Sequence, residues 1–359
     1  MSSNNKEKRL TAIIYVLSLA LILATTLIIG PIICRNLRKF KNDSLNSARG
    51  QKSVFNRKIP IVVAFDNNYI CPALVSLSSL FSNAKEDTYY KIFFLVTDEF
   101  TQENKNKIFK LGKDYKNFEA VFLNLNKESK QFKDLNIFLE RFSKEMFYRL
   151  KIPSLLENEE KCIYMDVDTV VCDDLSDLYN EDLDGYCVGG IADGTRQAIK
   201  EDSSENIEKY HKYLGVNNMD DFINSGVIVW NLVECRNYKL EDRFLDFLKK
   251  RNNTPEKTLN DQDTINSGCH GKIKDLPLKY NVQTYYNLKS YEESGIVSKL
   301  FTEKTWQEAV NHPVIIHYAL NKAWNCLDLT FADKWWKAAK TAPRWVWTEV
   351  REYKKTLNA

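Results

Sequence analysis

Cys162-Ile163-Tyr164-Met165-Asp166-Val167-Asp168-Thr169-Val170-Val171 is an apolar run broken by two carboxylates spaced two apart. The stretch 162–165 offers apolar side chains to both faces, as a strand buried inside a sheet requires. Isolated charge is too costly in a low dielectric for both carboxylates to be buried unpaired. At the end of a strand the chain can turn so that both reach one divalent ion, a hard cation that takes oxygen ligands. An ordinary acidic turn fits the pair equally well, since D-x-D is common by chance. The apolar residues on both sides favour a site, because solvated acidic loops rarely interrupt a core strand in this way.

Working outward, similar apolar runs recur at 59–65, 92–96, 120–123, 186–191, 227–230 and 314–317. All read as buried parallel strands. Between them lie helical periodicities, as at Ala73, Leu74, Leu77, Leu80 and Phe81, at Phe142, Met146 and Leu150, and at Phe244, Leu245 and Leu248. Strand–helix alternation of this length predicts an α/β, Rossmann-like, mostly parallel sheet flanked by helices. No Pro- or Ser-rich linker and no internal repeat divides 59–359, which reads as one domain. Ligands of such sheets bind beyond the carboxyl ends of the strands, where the polar clusters of this sequence fall.

The first 58 residues have a different character. Residues 10–34 carry no charge, and about 20 residues at 1.5 Å each span a bilayer's hydrocarbon layer. The segment is longer than a signal-peptide core and predicts an uncleaved transmembrane anchor. A short tail at 1–9 precedes it, and 35–58 reads as a basic stem. Residues 1–58 hold 11 basic and 2 acidic side chains of the chain's 51 and 48, so the remaining 301 carry a net −6. That body has no bulk attraction for polyanions, which argues against a nucleic-acid partner. Eight cysteines without a C-x-x-C pair exclude zinc ribbons and thioredoxin-like motifs, and several, such as Cys162, sit in apolar runs where a buried free thiol is expected. No G-x-G-x-x-G follows the first strand, and there is no G-x-x-x-x-G-K-[ST], H-E-x-x-H or G-x-S-x-G. Dinucleotide oxidoreductases, P-loop NTPases, zincins and α/β-hydrolases therefore fit poorly.

Other features read two ways. His317 closes the run Val314-Ile315-Ile316-His317-Tyr318, as a satisfied strand-end residue or as an imidazole ligand. Asp66-Asn67-Asn68-Tyr69 follows the first strand, as a helix N-cap or as a polar nucleotide edge. Asn224-Ser225-Gly226 reads as a turn before a strand or as part of a site, and Asp261-Gln262-Asp263 as a helix start or as site carboxylates.

Taken together and in this order, Asp66–Tyr69, Tyr148-Arg149-Leu150, Asp166-Val167-Asp168, Asn224-Ser225-Gly226, Asp261-Gln262-Asp263 and His317-Tyr318 resemble glycosyltransferase family 8. The resemblance covers roughly residues 60–325. It implies a GT-A fold, a UDP-sugar donor, Mn²⁺ or another divalent cation, and retention of configuration. By position, Asp166, Asp168 and His317 would be the metal ligands. Ala64, Asp66, Asn68 and Tyr69 would hold the uridine, and Val167 would touch the ribose through its backbone. Arg149, Asp193, Asn224, Asp261 and Gln262 would line the donor-sugar pocket. The family's last motif, His-Tyr-x-Gly-x-x-Lys-Pro-Trp, is altered here to His317-Tyr318-Ala319-Leu320-Asn321-Lys322-Ala323-Trp324, without the Gly and Pro and one residue short. By the resemblance Lys322 would reach the β-phosphate.

The expected function is a membrane-anchored, metal-dependent retaining glycosyltransferase acting on a glycan or glycoconjugate acceptor. Its topology would be single-pass type II, in the Golgi or ER lumen in a eukaryote. Catalytic roles fall to Asp261, Gln262, Arg149 and Lys322. The alternatives are a catalytically weak or inactive nucleotide-sugar-binding protein of the same fold, and a metal phosphohydrolase built on Asp166 and Asp168. The aromatic and basic segment 331–353 reads as packed back on the core or as a membrane-surface patch.

Overall fold

The computed structural model describes residues 57–125, 144–252, 260–286 and 288–357. The anchor and stem expected over 10–58 therefore lie outside the described residues, except for the last two. Among the described residues no helix is long and apolar enough to cross a membrane.

Ten strands are described. They are β1 (Arg57–Ala64), β2 (Thr88–Val96), β3 (Phe118–Asn124), β4 (Lys161–Met165), β5 (Thr169–Val171), β6 (Val188–Ala192), β7 (Ile223–Asn231), β8 (Ile273–Asp275), β9 (Val282–Gln283) and β10 (Ile315–His317). Seven form a sheet in the order β3-β2-β1-β4-β7-β6-β8. The pairs β1–β2, β2–β3, β1–β4 and β6–β8 are parallel, whereas β7 runs antiparallel to both β4 and β6. The sheet is thus mostly parallel, as expected, and the one departure is the run 227–230, which read as a parallel strand and is reversed in β7. A strand buried on both faces shows no polar alternation, so its direction leaves no trace in its composition.

Alternate side chains of β1 enter opposite cores. Ile59, Ile61 and Val63 pack on one side with Leu74, Leu77 and Leu80 of the helix Ile70–Ser82. Val62 packs on the other with Tyr164, Trp230 and Phe244. This two-sided burial is why the strand reads as an unbroken apolar run. The periodicity at Phe244 and Leu248 becomes the helix Leu240–Asn252, but that at Met146 and Leu150 becomes a 3₁₀ segment, Lys144–Lys151. Phe142 lies outside the described residues.

The run 314–317 does not join the large sheet. Its strand β10 lies between β5 and β9 in a second, three-stranded sheet. The chain leaves the large sheet at Met165, crosses the two aspartates and re-enters the small sheet at Thr169. The segment 331–353 packs back on the core. Trp335, Val346 and Val350 are buried, Trp336 Nε1 donates to Ala323 O (3.1 Å), and Trp345 Nε1 donates to Asp114 (2.8 Å). The seven described cysteines are all free thiols.

Candidate functional site

The link between the two sheets, residues 166–168, sets the site. Antiparallel pairing of β10 with β5 puts His317 opposite Thr169, and Tyr318 N donates to Asp168 O (2.9 Å). The imidazole therefore meets both aspartates: Nε2 lies 3.3 Å from Asp168 Oδ1 and 3.9 Å from Asp166 Oδ2. Ligand atoms of the three residues lie within 4.8 Å of one another. Asp168 and His317 are buried and Asp166 is half-buried. Burial works to raise the Asp168 pKa, but the adjacent His317 and Lys322 outweigh it and hold the carboxyl below the usual range.

Two observations show that this donor set suits a divalent cation. Asp168 Oδ1 is buried and has no hydrogen-bond partner, a costly state for a carboxylate oxygen that no ion satisfies. Gly226 on β7 forms the floor beneath the ring, where an added Cβ would stand 2.1 Å from His317 Cε1. The ring lies so close that only a glycine fits under it. Two carboxylates and an imidazole make an oxygen-rich, mixed set of the kind that holds Mn²⁺ or Mg²⁺.

Arg149 gathers the neighbouring groups. Its guanidinium donates to Asp166 Oδ1 (2.9 Å) and Ser225 O (2.8 Å), and its Nε lies 3.0 Å from Asp261 Oδ2, off the hydrogen-bonding line. It also lies over the Tyr164 ring at 4.2 Å, and the Tyr164 hydroxyl donates to Asp166 Oδ1 at 2.6 Å. Burial opposes the charge on Arg149, but Asp166 and Asp261 more than offset it and raise its pKa. Burial raises the Asp261 pKa, with Arg149 pulling the other way.

Sequence comparison agrees with this geometry. The profile of "Glycosyl transferase family 8" matches residues 60–328, about three quarters of the chain. The chain belongs to glycosyl transferase family 8. A "Putative glycosyltransferase" of Haemophilus influenzae is 28% identical over 222 residues, which cover 62% of each chain. Among solved structures, the WbbM bifunctional glycosyltransferase superposes with a TM-score of 0.68 at 23% identity, over 84% of this chain and 53% of that one. The galactosyltransferase LgtC, solved with donor and acceptor sugar analogues, gives 0.61 at 20% identity over 79% of this chain and 96% of that one. At these identities the structural likeness establishes the fold, an α/β GT-A-like one. The chain spans about three fifths of the length of the first curated relatives it matches.

Asp66 is the N-cap of the 3₁₀ turn Asn67–Tyr69. Its carboxylate accepts from Asn68 N (2.9 Å), Tyr69 N (3.2 Å) and Asn68 Nδ2 (3.0 Å). Tyr69 is 36% exposed and meets Trp324 edge-on at 6.3 Å. Partial burial raises its pKa, and Asp168, Asp66 and Asp166 add to the rise, which places the phenol within the field of the aspartates. Ala64 ends β1, and Val167 is buried between the two aspartates. Asn224, Ser225 and Gly226 are not a turn: they lie inside β7, where Gly226 O accepts from Asp166 N (2.8 Å). Asp261-Gln262-Asp263 opens a helix. Asn260 caps the helix Asp261–Cys269, and the first turn of that helix delivers Asp261 to Arg149.

Asn224 joins the pieces. Its Nδ2 donates to Asp193 Oδ2 and Gln262 Oε1, both at 3.2 Å. Asp193 also accepts from Thr195 N (2.9 Å) and Thr195 Oγ1 (2.6 Å). A cavity of about 440 Å³, lined by Asp193, Thr195, Ala198, Tyr285 and Tyr286 among others, opens beside it. The Lys322 ammonium donates to the Asp168 carboxylate, to Tyr318 O (2.8 Å) and to Ala319 O (2.9 Å). Its three protons are all taken. Sequence reasoning gave no role to Tyr164 or Asn281. Tyr164 was readable in principle, as a hydroxyl two residues before a carboxylate on one strand face. Asn281 carried no local signal, because its contact with His317 joins residues 36 apart in the chain.

Proposed function

We propose that the protein is a metal-dependent, retaining glycosyltransferase that moves a hexosyl or pentosyl unit from a UDP-sugar to a glycan or glycoconjugate acceptor. The observation that carries this reading is the convergence of Asp166, Asp168 and His317, with one buried carboxylate oxygen unpartnered, in a family-8 chain. Asp166, Asp168 and His317 would hold the cation, with Mn²⁺ as the expected ion. The chemistry it supplies there is Lewis-acid neutralisation of a departing diphosphate.

The chain's own groups orient the donor. Ala64, Asp66, Asn68 and Tyr69 form the uridine edge, Tyr69 offering an exposed ring for stacking, and the Val167 backbone meets the ribose. Asp193, Arg149, Asn224, Asp261 and Gln262 bound the sugar. Gln262 Oε1 accepts from Ser225 N (3.0 Å) and Asn224 Nδ2 (3.2 Å), so the amide oxygen is already engaged. Asp261 is buried against Arg149. Neither is a free nucleophile, which favours attack by the acceptor on the leaving-group side. Lys322 serves a β-phosphate by exchanging one of its present partners. Residues 10–34 complete the reading as a membrane anchor, with the uncharged stretch as its support.

A second reading, a weak or inactive binder of nucleotide sugars, is favoured by the Lys322–Asp168 ion pair and the altered 317–324 motif. One assay separates them: UDP release from a panel of UDP-sugars, with and without acceptor glycans and Mn²⁺. Turnover that needs Mn²⁺ and falls by orders of magnitude in Asp166→Ala or Asp168→Ala supports the enzyme. Tight UDP-sugar binding without UDP release supports the binder. Full turnover in excess chelator refutes the metal role.

A further inference from the structure

The two ring nitrogens of His317 face different neighbours. Nε2 faces the aspartates, and Nδ1 lies 3.0 Å from Asn281 Oδ1. Asn281 is fully buried, between the 3₁₀ turn Leu278–Tyr280 and β9. Which end of its amide meets the ring is fixed by a chain of hydrogen bonds that begins at a backbone group. Gly226 N–H can only donate, and it points at one end of the Asn224 amide at 3.0 Å, so that end is the oxygen. Asn281 approaches the same oxygen at 2.9 Å, and it must do so with its NH₂. Its carbonyl oxygen is then the end that faces His317. An oxygen there accepts only from a protonated Nδ1, which leaves Nε2 turned toward Asp166 and Asp168.

The geometry points to Asn281 as the positioning residue for His317: it selects the Nδ1–H form of the ring and holds Nε2 on the two carboxylates. The inference rests on reading Asp166, Asp168 and His317 as the cation site. Gly226 acts twice in this arrangement. Its N–H sets the polarity of both amides, and its missing side chain leaves room for the ring they orient. Through Asn224 the same chain reaches Asp193 and Gln262, so the ring's orientation is coupled to the residues assigned to the donor sugar. Outer-shell partners of this kind fix ligand orientation, and their loss typically costs 10–100-fold in metal affinity.

The test is direct Mn²⁺ binding to the full chain by calorimetry, with no donor present, alongside the melting temperature of the metal-free protein. Asn281→Leu keeps the volume and removes both amide functions, and is expected to weaken Mn²⁺ about 10–100-fold. Asn281→Asp keeps an oxygen for Nδ1–H to donate to and, as the neutral acid that burial favours, an O–H in place of the amide donor to Asn224 Oδ1, and is expected to stay within several-fold of the unmodified chain. Rescue by Asp but not by Leu is what a purely structural residue would not give. Two outcomes overturn the proposal: Asn281→Leu binding Mn²⁺ as tightly as the unmodified chain, or both variants losing affinity equally while still folded. Should Asn281→Leu fail to fold, loss of Mn²⁺ binding by a folded Asn281→Asp chain overturns it, and retention supports it. Absence of Mn²⁺ binding in the unmodified chain instead refutes the cation-site reading on which the inference rests.

Discussion

Gly226→Ala adds one methyl group at a strand position that has no left-handed backbone requirement, so its effect isolates packing. The new Cβ would lie 2.1 Å from His317 Cε1, 2.7 Å from Nδ1 and 2.9 Å from Nε2. Carbon atoms in ordinary contact sit about 3.5–4.0 Å apart, so the ring must retreat by about 1.4 Å or more. Metal ligands tolerate about 0.2 Å. The displaced ring therefore leaves the coordination sphere, and its Nδ1 bond to Asn281 is strained at the same time. Mn²⁺ affinity should fall at least 10-fold, and turnover about 100-fold, as for a catalytic group misplaced by about 1 Å. Overpacking should also cost about 1–3 kcal/mol of stability. Calorimetry with Mn²⁺, UDP release and denaturant unfolding read the three effects separately. In a His317→Ala background the methyl has room, so the same substitution should cost little stability. Unchanged Mn²⁺ affinity and turnover in Gly226→Ala would refute the reasoning, as would an equal stability loss in both backgrounds.

Arg149→Met leaves the Asp166 and Asp261 carboxylates facing each other without their shared cation, and should cost about 3–5 kcal/mol in denaturant unfolding. A loss under about 1 kcal/mol would show that the arginine is not the centre of this cluster. If Lys322 assists a departing diphosphate, Lys322→Ala lowers kcat more than it raises the donor KM. Unchanged values of both would confine the lysine to its bond with Asp168. Burial and the neighbouring Asp261 push the Asp263 pKa up to about 7, against the hydrogen bonds of Tyr213 and Tyr210. The folded chain then holds a proton that the unfolded chain, at about 3.9, has released. Stability should therefore fall as pH rises from about 4 to 7, by about 4 kcal/mol from this group alone. Asp263→Asn should flatten that slope in pH-dependent melting, and an unaltered slope would place the proton elsewhere.

The sequence by itself determined the α/β class, because strands buried on both faces, such as 59–65 and 162–165, must be apolar throughout. It also marked Asp166 and Asp168, because two carboxylates ending a core strand cannot be left unpaired. His317, Arg149 and Asp261 were legible only as members of an ordered set, each having an ordinary local explanation. Three things were decided by the tertiary structure alone. The direction of β7 leaves no mark on composition, since parallel and antiparallel central strands bury the same side chains. Asn224-Ser225-Gly226 read as a turn before a strand or as part of a site, and the ring of His317 lying against Gly226 explains a glycine inside that strand. Asn281 was silent, because what gives it a role is a chain of hydrogen bonds among residues 224, 226, 281 and 317. Local sequence records what a residue must avoid, such as unpaired charge or exposed apolar surface. It does not record which distant group will supply the partner, because that depends on how two sheets are brought together.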